Sequence, residues 1–155
     1  MRTRFRDIVS ALLYSADGRL FMALDNPSHG TVYPGCWKIP GGGVEEGESK
    51  LQALSREISE ETGINVGSLS IKLIENSMTG ESEKVLRETG ERVLVKMTFF
   101  TYEVHLDKSA MDINVALDPH EFEQYKWFYL PELAAIKLSP PSRELFGKLG
   151  LVPGP

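Results

Sequence analysis

Residues 41–64, GGGVEEGESKLQALSREISEETGI, decide the fold, because three successive glycines lead directly into a helix with a strongly charged end. Leu51, Leu54 and Ile58 recur at helical spacing, so the pattern predicts a helix over Ser49–Thr62 that buries this stripe. Glycines allow unusual backbone angles and the close approach of a ligand or metal to main-chain groups. A plain strand-to-helix turn is the alternative for the glycines.

Three glutamates share one face of the predicted helix. Glu57, Glu60 and Glu61 lie at positions i, i+3 and i+4, within an arc of roughly 100°. Like charges at that spacing repel by about 0.2–0.5 kcal/mol per pair, and the C-terminal half of a helix disfavours anions. A divalent cation such as Mg²⁺ would resolve this conflict, since it binds clustered carboxylates. A solvated acidic face is the alternative, and the preceding glycines favour the metal.

The rest of the chain reads as strands with a few helices. An apolar run at Ile8–Tyr14 and a segment at Arg19–Leu24 flank the turn signal Asp17-Gly18, which predicts a β-hairpin. A loop rich in proline and glycine follows at residues 25–35. The later predicted elements are a strand at Ile71–Glu75, a long hairpin within 76–106 with an exposed tip, a strand at Tyr125–Tyr129, and helices at Pro131–Ala135 and Ser142–Leu149. This order predicts an α/β (α+β) fold in which helices cover a mixed sheet.

Composition limits the class of protein. The 155 residues suit a single domain over residues 1–155. The chain has 17 Lys and Arg against 22 Asp and Glu, a net charge of −5. It therefore lacks the broad positive charge that is typical of nucleic-acid binders, and we expect no nucleic-acid polymer as a partner. The single cysteine, Cys36, excludes an internal disulfide and reads as a small apolar filler. No run is long enough for a signal peptide or a membrane span, so we expect a cytoplasmic protein without a membrane partner.

The glycines and glutamates together resemble the Nudix box, Gly-x5-Glu-x7-Arg-Glu-aliphatic-x-Glu-Glu-x-Gly-aliphatic. Gly42 and Glu48 open the pattern, and residues 56–64, REISEETGI, complete it without a mismatch, so the box covers 42–64. Residues 37–43, WKIPGGG, and Trp127 followed by LPEL at 130–133 also resemble the family. The resemblance implies an α/β/α sandwich around a mixed β-sheet, and a hydrolase that cuts a diphosphate linkage in a nucleotide-type small molecule.

The same resemblance implies a metal site. Glu57, Glu60 and Glu61 would be ligands of Mg²⁺, with Mn²⁺ as a substitute and the Gly42 carbonyl as a further ligand. Such an ion neutralises phosphate oxygens and lowers the pKa of a bound water.

The resemblance also implies supporting and catalytic groups around that metal. Arg56 would orient the glutamates by charged hydrogen bonds, and Glu48 would support the site near the metal or in a salt-bridge network. The base that deprotonates the attacking water would be Glu60 in the box, or Glu121 or Glu123 on a later loop.

The residues predicted to contact the substrate rest on less specific patterns than the metal ligands do. Lys38, Tyr33, Trp37 and Phe122 are the candidates for substrate binding, with core packing as the alternative for Trp37. Cations that could also contact phosphates, each with a solvated charge as the alternative, are Lys84, Arg87 and Arg92.

The combined pattern is similar to bacterial Nudix nucleoside triphosphatases that prefer pyrimidine deoxynucleotides. That likeness implies release of a nucleoside monophosphate and pyrophosphate. One alternative is another nucleoside-diphosphate derivative, such as a nucleotide sugar, a dinucleoside polyphosphate or an oxidised purine nucleotide. Another is a non-catalytic Nudix-fold ligand-binding module, which the intact glutamates disfavour. Nudix proteins of this size are often dimers, so the resemblance also allows a homodimer.

Overall fold

One long strand organises the sheet in the computed structural model, which describes residues 1–29 and 33–154. The predicted loop at residues 25–35 therefore lies partly outside the described residues. The strands are β1 (Arg2–Tyr14), β2 (Arg19–Asp25), β3 (Trp37–Lys38), β4 (Gly41–Gly43), β5 (Ile71–Glu75), β6 (Thr79–Val85), β7 (Arg92–His105) and β8 (Phe122–Tyr129). The α-helices are α1 (Lys50–Thr62) and α2 (Pro140–Lys148), and short 3-10 turns cover Pro27–His29, Ala110–Asp112 and Leu130–Ala135.

The sheet is mixed. Its central path runs β3-β2-β1-β7-β5, and β4, β6 and β8 pair with β1, β7 and β2 respectively. β1 pairs in parallel with β7 along its whole length, from Arg2 opposite Val93 to Tyr14 opposite His105. The other pairings are antiparallel, including the short one that places Gly43, Gly42 and Gly41 opposite residues 8–10.

Helices cover both faces of this sheet, as predicted. Because neighbouring residues of a strand point to opposite faces, Ala11 packs in one core and Leu12 in the other. Ile58 of α1 belongs to the first core, and Phe146 of α2 belongs to the second. None of the helices in the described residues is long and apolar enough to cross a membrane.

Several predicted boundaries shift for identifiable reasons. β1 begins at Arg2 rather than Ile8, because β7 supplies hydrogen-bonding partners for the earlier polar residues. The glycines form a strand rather than a turn, because they pair with β1. α2 begins at Pro140, since the first turn of a helix needs no main-chain donors and tolerates proline.

The helix of the box also departs from its predicted boundary and packing stripe. Ser49 caps α1 instead of opening it, accepting a hydrogen bond from the Gln52 main chain. Leu51, in the first turn, is 49% exposed, while Ala53 joins Leu54 in the core.

Candidate active site

The three glycines bring the main chain of β4 directly beneath α1. A Cβ atom added to Gly42 would lie 2.4 Å from Cδ of Glu57 and 2.5–2.6 Å from both of its carboxylate oxygens. No side chain fits at this position while Glu57 keeps its place. The glycine requirement here is therefore a requirement for close approach between strand and helix.

Arg56 joins the predicted carboxylates into one network. Its guanidinium donates two hydrogen bonds to Glu48, at 2.7 and 3.0 Å, and one to Glu57 at 2.9 Å. It also donates to Glu60 at 3.4 Å and to the Gly43 carbonyl at 3.1 Å. The paired bonds lower the pKa of Glu48 to about 2. Glu48 thus lies in the salt-bridge network, one of its two predicted places.

Glu61 is the buried member of the set, with an exposed fraction of 6%. Its carboxylate accepts a hydrogen bond from the Gly41 main chain at 3.1 Å. Burial raises the pKa of Glu61 to about 9, and a hydrogen bond with Glu57 and the charges of Glu57 and Glu121 add to the rise. A nearby cation would oppose this rise, because it favours the charged form of the carboxyl.

The three helix glutamates therefore sit in different surroundings. The side chain of Glu57 is 16% exposed and that of Glu60 is 58% exposed, whereas Glu61 is buried. Within the described residues, no three His, Cys, Asp or Glu side chains are gathered as a group that could hold a metal ion. Glu57 and Glu60 turn toward Arg56 instead. Each of these hydrogen bonds with Arg56 uses one carboxylate oxygen, Oε1 of Glu57 and Oε2 of Glu60.

A cavity of about 460 Å³ opens beside this network, on the face of the sheet away from α1. Gly41 lines it, so the cavity and the buried Glu61 carboxylate lie on either side of one main-chain segment. The β1 and β7 side chains in the wall include Ser10 and Thr101, which are hydrogen-bonded at 3.2 Å. Glu121 lines the cavity and, through its charge, also raises the pKa of Glu61.

The predicted substrate-binding residues divide into two groups. Lys38 and Tyr33 line the cavity. Trp37 packs edge-on against Phe128 in the second core, and Phe122 is 2% exposed in the first core. The structure thus places Lys38 and Tyr33 in the cavity lining, and Trp37 and Phe122 in the packing of the sheet.

Cavity residues that the sequence analysis missed are polar groups at the ends of elements. Buried Asp25, at the end of β2, forms an ion pair with Lys38 at 2.7 Å, and Asn26 follows it in the lining. Ser139 and Ser142 enter the wall from the cap of α2. In the sequence, Asp25 could have been recognised as a charged residue at the end of a largely apolar strand.

The sequence also matches a known domain. The profile of the NUDIX domain fits residues 4–149. The chain belongs to the Nudix family. The predicted identity as a Nudix hydrolase, a class of enzyme, is thereby confirmed. Nudix hydrolases generally use divalent metal cations and act on small nucleotide substrates.

Curated relatives carry two different names. An RNA pyrophosphohydrolase of Bartonella clarridgeiae is 30% identical over 146 residues, covering 87% of this chain and 82% of the relative. The nucleoside triphosphatase NudI of Escherichia coli is 28% identical over 149 residues, covering 96% and 99%. The Nudix chain is thus similar along its length to hydrolases named for a polymer and for a mononucleotide.

Solved structures confirm the predicted fold. The E. coli dihydroneopterin triphosphate pyrophosphohydrolase superposes with a TM-score of 0.64 at 24% identity, covering 92% of both chains. A MutT protein from Methanosarcina mazei superposes with a TM-score of 0.62 at 20% identity, covering 96% of this chain and 94% of the other. The α+β class with a mixed sheet is therefore the fold of this Nudix protein.

Proposed function

We propose that this Nudix hydrolase cuts a nucleoside triphosphate into a nucleoside monophosphate and pyrophosphate. Water would attack a phosphorus atom of the diphosphate linkage, the bridging P–O bond would break, and the bridging oxygen would leave with one product. The observation that carries the proposal is the contact between the cavity and the box at Gly41. A nucleoside in the cavity would place its phosphate chain beside the glutamates.

The donor set suits a divalent cation of the Mg²⁺ type. All its side-chain donors are carboxylate oxygens, which hard ions prefer, and a cation beside buried Glu61 would favour the charged form of a carboxyl whose pKa is otherwise raised. Glu57, Glu60 and Glu61 would hold the ion, and when bound it supplies charge neutralisation of the phosphate oxygens and a lower pKa for the attacking water. Arg56 would position the carboxylates, and Glu48 would fix Arg56 by its two hydrogen bonds.

Glu121 is the base that we favour over Glu60. Its side chain lines the cavity and lies close enough to the box for its charge to act on Glu61. A base must reach the proton of the attacking water, which in the proposed arrangement would lie where cavity and box meet. Glu60 is directed to Arg56 at 3.4 Å and is largely exposed, which suits a ligand better than a base.

The cavity suits the nucleoside end of the substrate. Its charged lining groups are Asp25 and Lys38, which neutralise each other at 2.7 Å, and Glu121. These lining residues offer no uncommitted cation to phosphate groups. The nucleobase of a substrate, by contrast, offers hydrogen-bond donors and acceptors to the Asp25–Lys38 ion pair and to Asn26. The likeness to triphosphatases that prefer pyrimidine deoxynucleotides makes those nucleotides our first expectation.

The test is a panel of substrates. The nucleotide products would be separated by ion-exchange chromatography after incubation with canonical and deoxy nucleoside triphosphates, nucleotide sugars and a 5′-triphosphorylated oligonucleotide, with Mg²⁺ and with EDTA. Metal-dependent turnover of pyrimidine deoxynucleotides above the rest is the expected result. A preference for the oligonucleotide would instead assign the chain the activity that names its Bartonella relative.

Variants separate the metal ligands from general charge effects. Glu57→Gln and Glu60→Gln should nearly abolish turnover at saturating Mg²⁺ while thermal unfolding still reports a folded protein. Glu144→Gln, which removes an exposed carboxylate on α2, is the matched control and should keep its full rate. If Glu57→Gln kept most of its turnover, the metal assignment would be wrong.

A further inference from the structure

A second groove, of about 730 Å³, lies beyond the box at the outer end of β1. Arg4 and Arg6 of β1 and Lys84 of β6 line it, over a floor of Val93 and Val95 from β7. The main chain that follows the glycine strand closes one side at residues 44–46. The groove therefore places three cations on surface shared by the box loop and the sheet.

These three cations have no carboxylate partner among the described residues. Most of the nearby acids are already engaged elsewhere: Glu91 pairs with Arg2 at 3.0 Å, Glu83 with Arg92 at 3.4 Å, Asp7 with Lys50 at 3.8 Å, and Glu45 with Arg56 at 3.8 Å. Glu46 is the remaining acid in the groove wall. The lining therefore has no net formal charge, but Asp7 and Glu45 pair with Lys50 and Arg56 outside the groove, so its three cations face one uncommitted acid, Glu46.

Arg6 connects the groove to the box. A Cβ atom added to Gly43 would lie 2.1 Å from Nη2 and 2.3 Å from Nε of Arg6, so the guanidinium rests on the Gly43 main chain. The carbonyl of the same glycine accepts the hydrogen bond from Arg56 at 3.1 Å. The cation at the inner end of the groove is thus separated from the glutamate network by one residue of β4.

β4 lies between the cavity and the groove. Gly41 lines the cavity, whose only uncommitted charge among the lining residues is the negative one of Glu121, while Gly43 carries Arg6 at the groove. A substrate with its nucleoside in the cavity and its scissile linkage at the box would direct its remaining phosphates toward the positive side. The charges of the cavity and the groove would therefore orient the bound substrate, with its nucleoside in the cavity and its remaining phosphates toward the groove.

We propose that this basic groove, lined by Arg4, Arg6 and Lys84, binds phosphate oxyanions of the substrate that lie beyond the scissile linkage. The proposal rests on the proposed function for the position of that linkage. These oxyanions are those of the terminal polyphosphate, because a phosphodiester backbone would leave the nucleoside through its 3′ oxygen, on the cavity side of the scissile linkage. The alternative is that the three long side chains simply cover Val93 and Val95 with their apolar stems, which requires no affinity for phosphate.

Direct binding tests this without turnover. The double variant Arg4→Gln/Lys84→Gln changes exposed side chains only and leaves Arg6 at the box in place. Its affinity for inorganic tripolyphosphate would be measured in EDTA by calorimetry, beside the wild-type protein. Lys72→Gln/Lys108→Gln, which removes two exposed lysines outside the groove, is the charge-matched control. We expect the groove variant to bind at least about fivefold more weakly, and the control to bind as the wild type does.

A second ligand tests whether the groove prefers a terminal polyphosphate to a phosphodiester backbone. A short single-stranded oligonucleotide with a 5′ hydroxyl carries phosphodiesters and no polyphosphate. Selective loss of tripolyphosphate binding assigns the groove to terminal phosphates. Selective loss of oligonucleotide binding, with a salt slope reduced by about 0.7 for each contact, would overturn the proposal and assign the groove to a backbone.

Equal affinity of the groove variant, the control and the wild type for both ligands would overturn the proposal. Because the measurement contains no metal and needs no reaction, inactivity in the substrate panel would leave this result unchanged. The failure of one proposal is thus distinguishable from the failure of the other.

Discussion

The buried carboxyl of Glu61 should make the stability of the metal-free protein fall as the pH rises. Its pKa stands at about 9 in the folded chain, against an ordinary value of 4.5, because of burial and the contact with Glu57. Between these two values the folded state keeps a proton that the unfolded state has released. The free energy of unfolding therefore decreases with pH across this window, by about 1.4 kcal/mol per pH unit.

From pH 4.5 to pH 7 the loss amounts to about 3 kcal/mol, a large part of the stability of a small protein. Glu61→Gln should remove this slope, since an amide does not titrate in this range and still accepts the hydrogen bond from Gly41. At pH 7 and above, the variant should be more stable than the wild type in EDTA. Saturating Mg²⁺ should flatten the wild-type slope if the cation displaces the Glu61 proton.

Urea unfolding at a series of pH values from 5 to 8.5, in EDTA, measures the effect. Glu48 does not interfere, because its pKa is lowered to about 2, so its contribution is lost only as the pH falls below about 4.5. Glu144→Gln on α2 is the control and should keep the wild-type slope. Parallel curves for Glu61→Gln and the wild type would refute the reasoning.

Three further results are expected. Gly42→Ala, whose Cβ would meet the Glu57 carboxylate at 2.4–2.6 Å, should lose most turnover at saturating Mg²⁺ while keeping its circular dichroism spectrum. Gly63→Ala should lower the free energy of unfolding by about 1–2 kcal/mol, since this residue caps α1 at φ 73° and its Cβ would lie 3.1 Å from Ala116; chemical denaturation measures it. Glu121→Gln should reduce kcat by about 10²–10⁴-fold with little change in the Mg²⁺ requirement. An unaffected kcat would indicate that the base is Glu60 of the box.

The sequence predicted the parts of the fold that follow from local periodicity and capping. The strand at Ile71–Glu75 matches the structure at both ends, and Gly63 adopts the left-handed conformation expected of a helix cap. The box residues also lie together, because a helix and the strand before it carry almost all of them. Spacing along one element is information that a single sequence contains.

The parts of the fold and of the site that the sequence did not predict depend on contacts between distant segments. β1 extends to Arg2 only because β7, about 90 residues later in the chain, pairs with it. The cavity joins Asp25, Lys38 and Glu121 from three separate segments, and no periodicity relates them. Burial likewise separates Glu61 from Glu60, which the helical wheel treats as near neighbours on one face.

The glycine strand and the charged helix form a single device, because each glycine serves one polar group of α1. The Gly41 main chain donates to Glu61. Gly42 leaves room for the Glu57 carboxylate, and the Gly43 carbonyl accepts from Arg56. An added Cβ would meet this helix only at Gly42; at Gly41 it would meet the β1 backbone at Val9 and Ser10, and at Gly43 the Arg6 guanidinium, so each glycine is required by a different neighbour.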